Sequence, residues 1–197
     1  ERSVLDLSAR RAYWHGEDTG LPADKAPQPS PAPALQSPER PHQPINAHDL
    51  AWEDQQVDAR FGGQAKHLTM NAVGRSYHVG VMIEAPGPGQ RLAPLHYHML
   101  EEEQALILEG EVRLLLDDTH YDLKPGDYVC FPAGLKVGHS FMNIGTGPCR
   151  YLMVGERNPN DVCVYPQSNK MAVEALRSAD AIFDMSAKRR YWDGEAS

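Results

Sequence analysis

Basic residues, cysteines and long apolar segments are all scarce in this sequence of 197 residues. Nineteen lysines and arginines stand against 27 aspartates and glutamates, which gives a formal net charge of -8. Nucleic acids and anionic membranes are bound through clustered lysine and arginine, so this balance argues against both as partners. No apolar run reaches the roughly 18 residues that a transmembrane helix needs. We therefore expect a small-molecule ligand or substrate, with no nucleic-acid and no membrane partner.

The three cysteines, Cys130, Cys149 and Cys163, are an odd number and lack CxxC spacing. Such a set fits free thiols in a reducing compartment better than a disulfide framework. The N-terminal residues also lack the basic and then apolar pattern of a secretory signal. Both observations lead us to expect a cytoplasmic protein.

One short motif occurs twice, as VLDLSARRAYWHGE within the first 21 residues and as IFDMSAKRRYWDGE at residues 182–195. Each copy is too short for a domain and carries a Tyr-Trp pair, and aromatic residues commonly anchor interfaces. Three interpretations remain open. The two arms dock in equivalent grooves of a homodimer, they cover apolar edges of their own domain, or they are remnants of a lost domain.

The domain organisation follows from composition. An N-terminal aromatic arm at residues 1–21 is followed by a linker at residues 22–44, which holds eight of the 16 prolines and favours extended polyproline II. A barrel is predicted at residues 45–169, and a C-terminal tail with the arm repeat at residues 170–197. Within that tail, MAVEALRSAD is compatible with either a helix or an extended segment.

The central region is predicted to be all-β. Short apolar runs such as QALILEG, DYVCF and RYLMVG have strand length, and turn sequences such as APGPGQ, KPGD and GTGP separate them. Both faces of residues 104–108 are largely apolar, which indicates a strand buried on both sides, against another sheet or another subunit. This pattern, together with the aromatic arms, leads us to expect a homodimer.

Two histidines one residue apart mark the candidate chemistry. Residues i and i+2 of a strand share a face, so His96 and His98 can reach one point. Glu103 follows, and alternation with the apolar strand after it favours this carboxylate over Glu101 and Glu102. His139 opens a later strand and adds a fourth ligand. Three imidazoles and one carboxylate suit a divalent Fe, Mn, Ni or Zn ion with open coordination positions.

Taken together, these segments resemble the cupin superfamily. The two motifs read Gly89-x6-His96-x-His98-x4-Glu103-x6-Gly110 and Gly126-x5-Pro132-x-Gly134-x4-His139-x3-Asn143. They depart from the usual pattern by one and two extra residues, each ahead of a ligand. The resemblance covers about residues 70 to 155, and similarity to small single-domain bacterial cupins extends it to about residue 169.

The resemblance implies a double-stranded β-helix, the cupin jelly-roll barrel, here with extended N- and C-terminal arms. It implies residue by residue that His96, His98, Glu103 and His139 bind a metal inside the barrel. Asn143, at the end of the second motif, is interpreted as structural.

Two functions remain open. The first is a metal-dependent enzyme on a small polar metabolite, either a dioxygenase or an isomerase or lyase. The second is a non-catalytic module that binds or senses a small molecule.

The catalytic residues cannot be assigned from sequence. One face of the strand before the first motif carries His78, Gly80, Met82 and Glu84, the other carries Val79, Val81 and Ile83, and either face could line the pocket. Further candidates for the pocket wall share faces in pairs: Tyr128 with Cys130, and Tyr151 with Met153. Several converging polar groups beside the metal would favour catalysis, whereas a shallow apolar rim would favour binding.

Overall fold

The structure is a computed structural model that describes residues 44–73, 78–176 and 181–194. The predicted N-terminal arm, and the predicted linker except for Pro44, lie outside these residues. No helix among the described residues has the length and apolar character needed to cross a membrane.

Strands dominate the described chain, as the short apolar runs predicted. They are Glu53–Asp54 (β1), Gly63–His67 (β2), Val79–Pro86 (β3), Tyr97–His98 (β4), Glu103–Glu109 (β5), Val112–Leu116 (β6), Thr119–Leu123 (β7), Tyr128–Phe131 (β8), His139–Asn143 (β9), Arg150–Glu156 (β10), Val162–Tyr165 (β11), Lys170–Val173 (β12) and Ile182–Asp184 (β13). A short α-helix, Leu68–Val73 (α1), and 3-10 turns at Pro166–Ser168 and Glu174–Leu176 complete the elements. The helix considered for MAVEALRSAD is not formed at residues 170–173, where β12 is extended.

The strands form three antiparallel sheets. Their orders are β1-β2-β3-β10-β5-β8, β13-β12-β11-β4 and β7-β6-β9. The hydrophobic core lies between inward residues of the first and third sheets, and its fully buried members include Ile107, Val112 and Tyr151. This all-β architecture of packed antiparallel sheets is the predicted double-stranded β-helix.

Strand β5 shows how alternation builds the core. Ala105 and Ile107 are each 1% exposed on its inner face, whereas Leu106 and Leu108 are 37% and 42% exposed on its outer face. Within the described chain no other sheet buries the outer face of this strand, and its burial against another subunit stays a prediction. The outer leucines face away from the core, and no element of the described chain covers them fully.

Two residues of the sequence motifs hold loops in place. Gly110, between β5 and β6, has φ of 84°, and a side chain there would collide with the carbonyl oxygen of Pro148. Asn143 is 1% exposed, and its amide donates to the carbonyl oxygens of Pro86 and Gly147, at 3.0 and 3.2 Å. Asn143 thus has the structural role that the sequence indicated.

The C-terminal copy of the repeated motif adds β13 to the edge of the second sheet, where it pairs with β12. The aromatic residues that follow are not packed on the barrel, since Tyr191 and Trp192 are 84% and 74% exposed. Their rings contact each other, with centroids 4.6 Å apart. This copy therefore does not bury its Tyr-Trp pair against its own domain.

Candidate metal centre

Three imidazoles surround one carboxylate oxygen. Oε2 of Glu103 lies 2.9 Å from Nε2 of His139, 3.5 Å from Nε2 of His98 and 3.6 Å from Nε2 of His96. All four side chains are largely buried, with His139 only 2% exposed. The structure thus brings together the four residues that the sequence selected as metal ligands.

Each of the three sheets contributes to this cluster. His98 ends β4, Glu103 begins β5 and His139 begins β9. His96 lies just before β4, and its backbone exchanges two hydrogen bonds with that of His139, at 3.1 and 2.8 Å. The cluster therefore forms only when all three sheets have assembled.

The second ring nitrogens of two histidines are held by the protein. Nδ1 of His96 lies 2.8 Å from the carbonyl oxygen of Pro94, which can only accept, so this nitrogen carries the hydrogen. Nδ1 of His98 lies 2.6 Å from Oδ2 of Asp161. In both rings the Nε2 lone pair is left for the centre, which is the usual arrangement of metal-binding histidines.

His139 is fixed differently. Its ring stacks on Phe131, with centroids 3.8 Å apart and an angle of 6°. Its buried Nδ1 has no hydrogen-bond partner among the described residues. Burial lowers the pKa of His139 and favours the neutral ring that a metal ligand requires.

Asp161 was not found by sequence reasoning. It is 0% exposed, and its Oδ1 accepts a hydrogen bond from the backbone N–H of Leu100 at 2.8 Å while Oδ2 holds His98. Burial alone would raise the pKa of Asp161, but these hydrogen bonds lower it. The NPND turn that carries Asp161 was visible in the sequence, whereas its contact with a histidine 63 positions earlier was not.

Glu101 and Glu102 do not take the place of Glu103. Oε1 of Glu101 accepts the backbone N–H of Asn158 at 2.6 Å, and Oε2 lies 3.6 Å from Nδ1 of His98, on the outer side of that ring. Glu102 accepts a hydrogen bond from the side chain of Gln104. Burial would raise the pKa of Glu103, but hydrogen bonds to His139 and His96 outweigh it and hold that pKa far below its usual range.

The donor set fits a divalent metal. Three imidazole nitrogens and one carboxylate converge, and two of the rings are oriented by hydrogen bonds on the far side. Fe, Mn, Ni and Zn all accept such ligands. The residues of the centre are therefore compatible with the predicted cofactor and do not select one metal.

A cavity of about 150 Å³ lies against the centre. The polar face of β3 lines it through Gly80, Met82 and Glu84, while His78 lies before the strand and does not reach it. Tyr151 and Met153 of β10 line it as well. A wider cleft of about 570 Å³ is lined by some of the same residues, including His96 and His98.

Tyr128 and Cys130, the other pair of candidates for the pocket wall, do not line this cavity. The hydroxyl of Tyr128 is exposed and donates to Oε1 of Gln104 at 2.9 Å. Cys130 lines a separate cavity of about 90 Å³, on the Phe131 side of the centre.

Glu84 is a second carboxylate beside the centre. It is the direct cross-strand neighbour of Tyr151, which is 2% exposed. Burial raises the pKa of Glu84, and it also raises that of Tyr151 well above its usual value. Glu84 therefore combines access to the cavity with an elevated affinity for a proton.

A double-stranded β-helix that gathers three histidines and one glutamate beside an internal cavity defines the cupin class of protein. The chain belongs to the cupin superfamily, and the model of the family described as "Cupin domain" matches residues 82–155. That segment contains the four clustered residues. It also lies within the region where the sequence motifs showed the resemblance.

The chain is similar in sequence to a curated relative and in structure to solved proteins. Quercetin 2,3-dioxygenase of Bacillus subtilis strain 168 is 30% identical over 142 residues, which are 65% of this chain and 42% of that protein. A crystal structure from Acidithiobacillus ferrooxidans, provisionally named a sugar phosphate isomerase, is 28% identical with a TM-score of 0.63 and covers 73% of this chain and 90% of its own. A sugar phosphate isomerase structure from Silicibacter pomeroyi is 24% identical with a TM-score of 0.62, covers 77% and 98% of the two chains, and supports the fold alone. The chain thus spans less than half the length of the dioxygenase it matches.

Proposed function

We propose that this protein is a metal-dependent enzyme acting on a small polar metabolite, with His96, His98, Glu103 and His139 as ligands of a divalent metal. The observation that carries the proposal is the cavity beside these residues. Its wall includes the polar side chains of Glu84, Ser140, Tyr151 and Arg157. Polar groups that converge beside a metal position are typical of catalysis rather than of simple binding.

The chain's own groups have separate tasks in this proposal. A bound divalent ion supplies Lewis-acid or oxygen chemistry. Asp161 orients His98 through the hydrogen bond at Nδ1. The buried rings of Phe141 and Tyr151, with Met153, contribute the apolar part of the cavity wall.

Glu84 supports the isomerase or lyase branch. Such reactions move a proton on the substrate, and they require a base whose pKa lies nearer neutrality than that of an ordinary carboxyl group. Glu84 lines the cavity, and burial raises its pKa above that of an ordinary carboxyl group, which is the direction such a base requires. In this scheme a carboxylate oxygen of Glu84 takes the proton from the substrate and returns it. The name of the similar crystal structure from Acidithiobacillus ferrooxidans is of this kind.

A dioxygenase is the second candidate, because the similar protein from Bacillus subtilis carries that name. Oxygen consumption separates the branches. Substrate screening under air and under nitrogen should give equal turnover for an isomerase or lyase, whereas a dioxygenase should be active only with oxygen.

Metal content tests the site itself. The double variant with His96→Ala and His98→Ala should lose its stoichiometric metal in elemental analysis and keep its β-sheet circular dichroism spectrum. A His120→Ala variant is the matched control, because His120 is exposed on β7 and should retain the metal. Equal metal content in the double variant and the unmodified protein would overturn the ligand assignment.

A further inference from the structure

Arg157 lies where the inner cavity meets the wider cleft. It directly follows β10. Its backbone N–H donates to the carbonyl oxygen of His78 at 2.8 Å, which fixes the backbone of Arg157 beside the start of β3. Its side chain lines both the cavity of about 150 Å³ and the cleft of about 570 Å³. The guanidinium group therefore borders the cleft as well as the cavity beside the four-residue centre.

A row of two glycines separates Arg157 from the centre. The strand register places Gly80 opposite Gly155, and Gly155 opposite Glu103. A Cβ atom at Gly80 would lie 2.8 Å from Nε of Arg157, and one at Gly155 would lie 3.3 Å from Oε1 of Glu103. The glycines therefore leave room that side chains would fill, and the guanidinium occupies part of it above Gly80.

Backbone conformation does not explain these glycines. Gly80 and Gly155 lie within the paired strands β3 and β10, and neither is among the described glycines with positive φ. Any residue can adopt an ordinary strand conformation, so conformational freedom is not what these positions need. Space between Arg157 and Glu103 is the property that glycine provides here.

The charge pattern indicates what occupies that space. Arg157 is the only lysine or arginine among the described residues that line the two cavities. Within the described part of the chain, no carboxylate oxygen lies within 4.0 Å of its guanidinium nitrogens, in contrast to Arg150, which binds Glu109 at 3.0 Å. The neighbouring acids Glu101 and Glu156 are engaged instead by the backbone N–H groups of Asn158 and Glu102.

We propose that Arg157 is an anion-binding subsite that takes the carboxylate or phosphate group of a small substrate, whose other end reaches the metal centre across the glycine row. The planar guanidinium offers paired N–H donors that match either anion. The inference rests on the proposed function, because it names the substrate class of the same site. The bound anion lies between Arg157 and the metal, which together offset the surrounding carboxylates.

Calorimetric titration of the full-length, metal-loaded protein with inorganic phosphate and with malonate tests the subsite. We expect at least one of these anions to bind, and Arg157→Gln to weaken that binding at least tenfold. Arg157→Lys should retain part of it, because the charge stays while the paired donors are lost. The anion that binds distinguishes a phosphate ligand from a carboxylate ligand.

Two further variants sharpen the test. Gly80→Ala should also weaken anion binding, because the new methyl group displaces the guanidinium. Arg150→Gln is the matched control, since this arginine begins β10, the strand that Arg157 follows, but lies outside both cavities, and it should leave anion binding unchanged. Metal content is measured on every sample.

Failure of this inference differs from failure of the proposed function. Metal-loaded protein that binds neither anion, or that binds them equally well after Arg157→Gln, overturns the subsite and leaves the metal centre intact. Purified protein that takes up no metal overturns the proposed function. Arg157-dependent anion binding in that metal-free protein would still support the subsite.

Discussion

Replacing Asp161 with Asn should weaken metal binding without removing any ligand. The carboxylate accepts two buried hydrogen bonds, from Nδ1 of His98 at 2.6 Å and from the backbone N–H of Leu100 at 2.8 Å. An amide of the same shape has only one oxygen, so its NH₂ group must face one of these two donors. Loss of such a partner typically costs 10- to 100-fold in metal affinity, or about 1.4 to 2.7 kcal/mol.

The same substitution should also lower the free energy of unfolding of the metal-free protein, by about 1 to 3 kcal/mol, because one buried donor is left unpaired. Asp122→Asn is the matched control. Asp122 pairs with Arg113 at 2.6 Å on the surface, where an ion pair contributes little to stability, and it does not line the cavities around the centre.

Competition between metal-free protein and a chromogenic chelator measures the affinity, and urea unfolding measures the stability. If Asp161→Asn binds the metal within a factor of two of the unmodified protein, Asp161 does not orient His98 for a metal. If it loses stability but not affinity, its role is confined to holding the loop at Leu100.

Three further predictions concern the barrel around the centre. Ile107→Ala should lower the free energy of unfolding by about 2 to 5 kcal/mol in urea denaturation, because Ile107 is 1% exposed. The control Val57→Ala, at a site 78% exposed, should change the free energy of unfolding by less than about 0.5 kcal/mol. Similar losses in the two variants would contradict the core assignment. In the folded protein the pKa of Glu84 is raised, so Glu84 binds its proton more tightly than it does in the unfolded chain, and its contribution to stability decreases as the pH rises above 4.5. The urea midpoint of the Glu84→Gln variant, relative to that of the unmodified protein, should therefore rise between about pH 4 and about pH 8. A difference between the two midpoints that stays constant with pH would refute this prediction. We propose that the exposed outer face of β5 joins two subunits. The double variant with Leu106→Glu and Leu108→Glu should then have half the mass of the unmodified protein in sedimentation equilibrium. An unchanged mass would place the interface elsewhere.

Local patterns were sufficient to predict which four side chains lie together, while their role as metal ligands stays a prediction. Alternation along β5 placed Ala105 and Ile107 inward with Glu103, and the structure has this arrangement. The spacing of His96 and His98 likewise put both rings on one side of the chain, within reach of the same oxygen. Such predictions succeed because the side-chain period of a strand is fixed by its backbone geometry.

Contacts between distant segments could not be predicted. The hydrogen bond from His98 to Asp161 depends on how β11 registers against β4, and no local pattern encodes that register. The apolar residues of β5 indicated burial but not its source, so Leu106 and Leu108 were expected to be covered where the described chain leaves them exposed. The position of Arg157 over Gly80 depends in the same way on the pairing of β10 with β3.

If the four residues bind a metal as we propose, their gathering from three sheets also sets the earliest point at which a newly made chain can acquire it. During synthesis His96 and His98 leave the ribosome early, but Glu103 meets His139 only after another 36 residues. The partner that orients His98 follows 63 residues behind that histidine. A nascent chain therefore holds the four proposed ligands only after His139 has emerged, and the partner that orients His98 only after Asp161, so the proposed metal would be captured late rather than as a seed for folding.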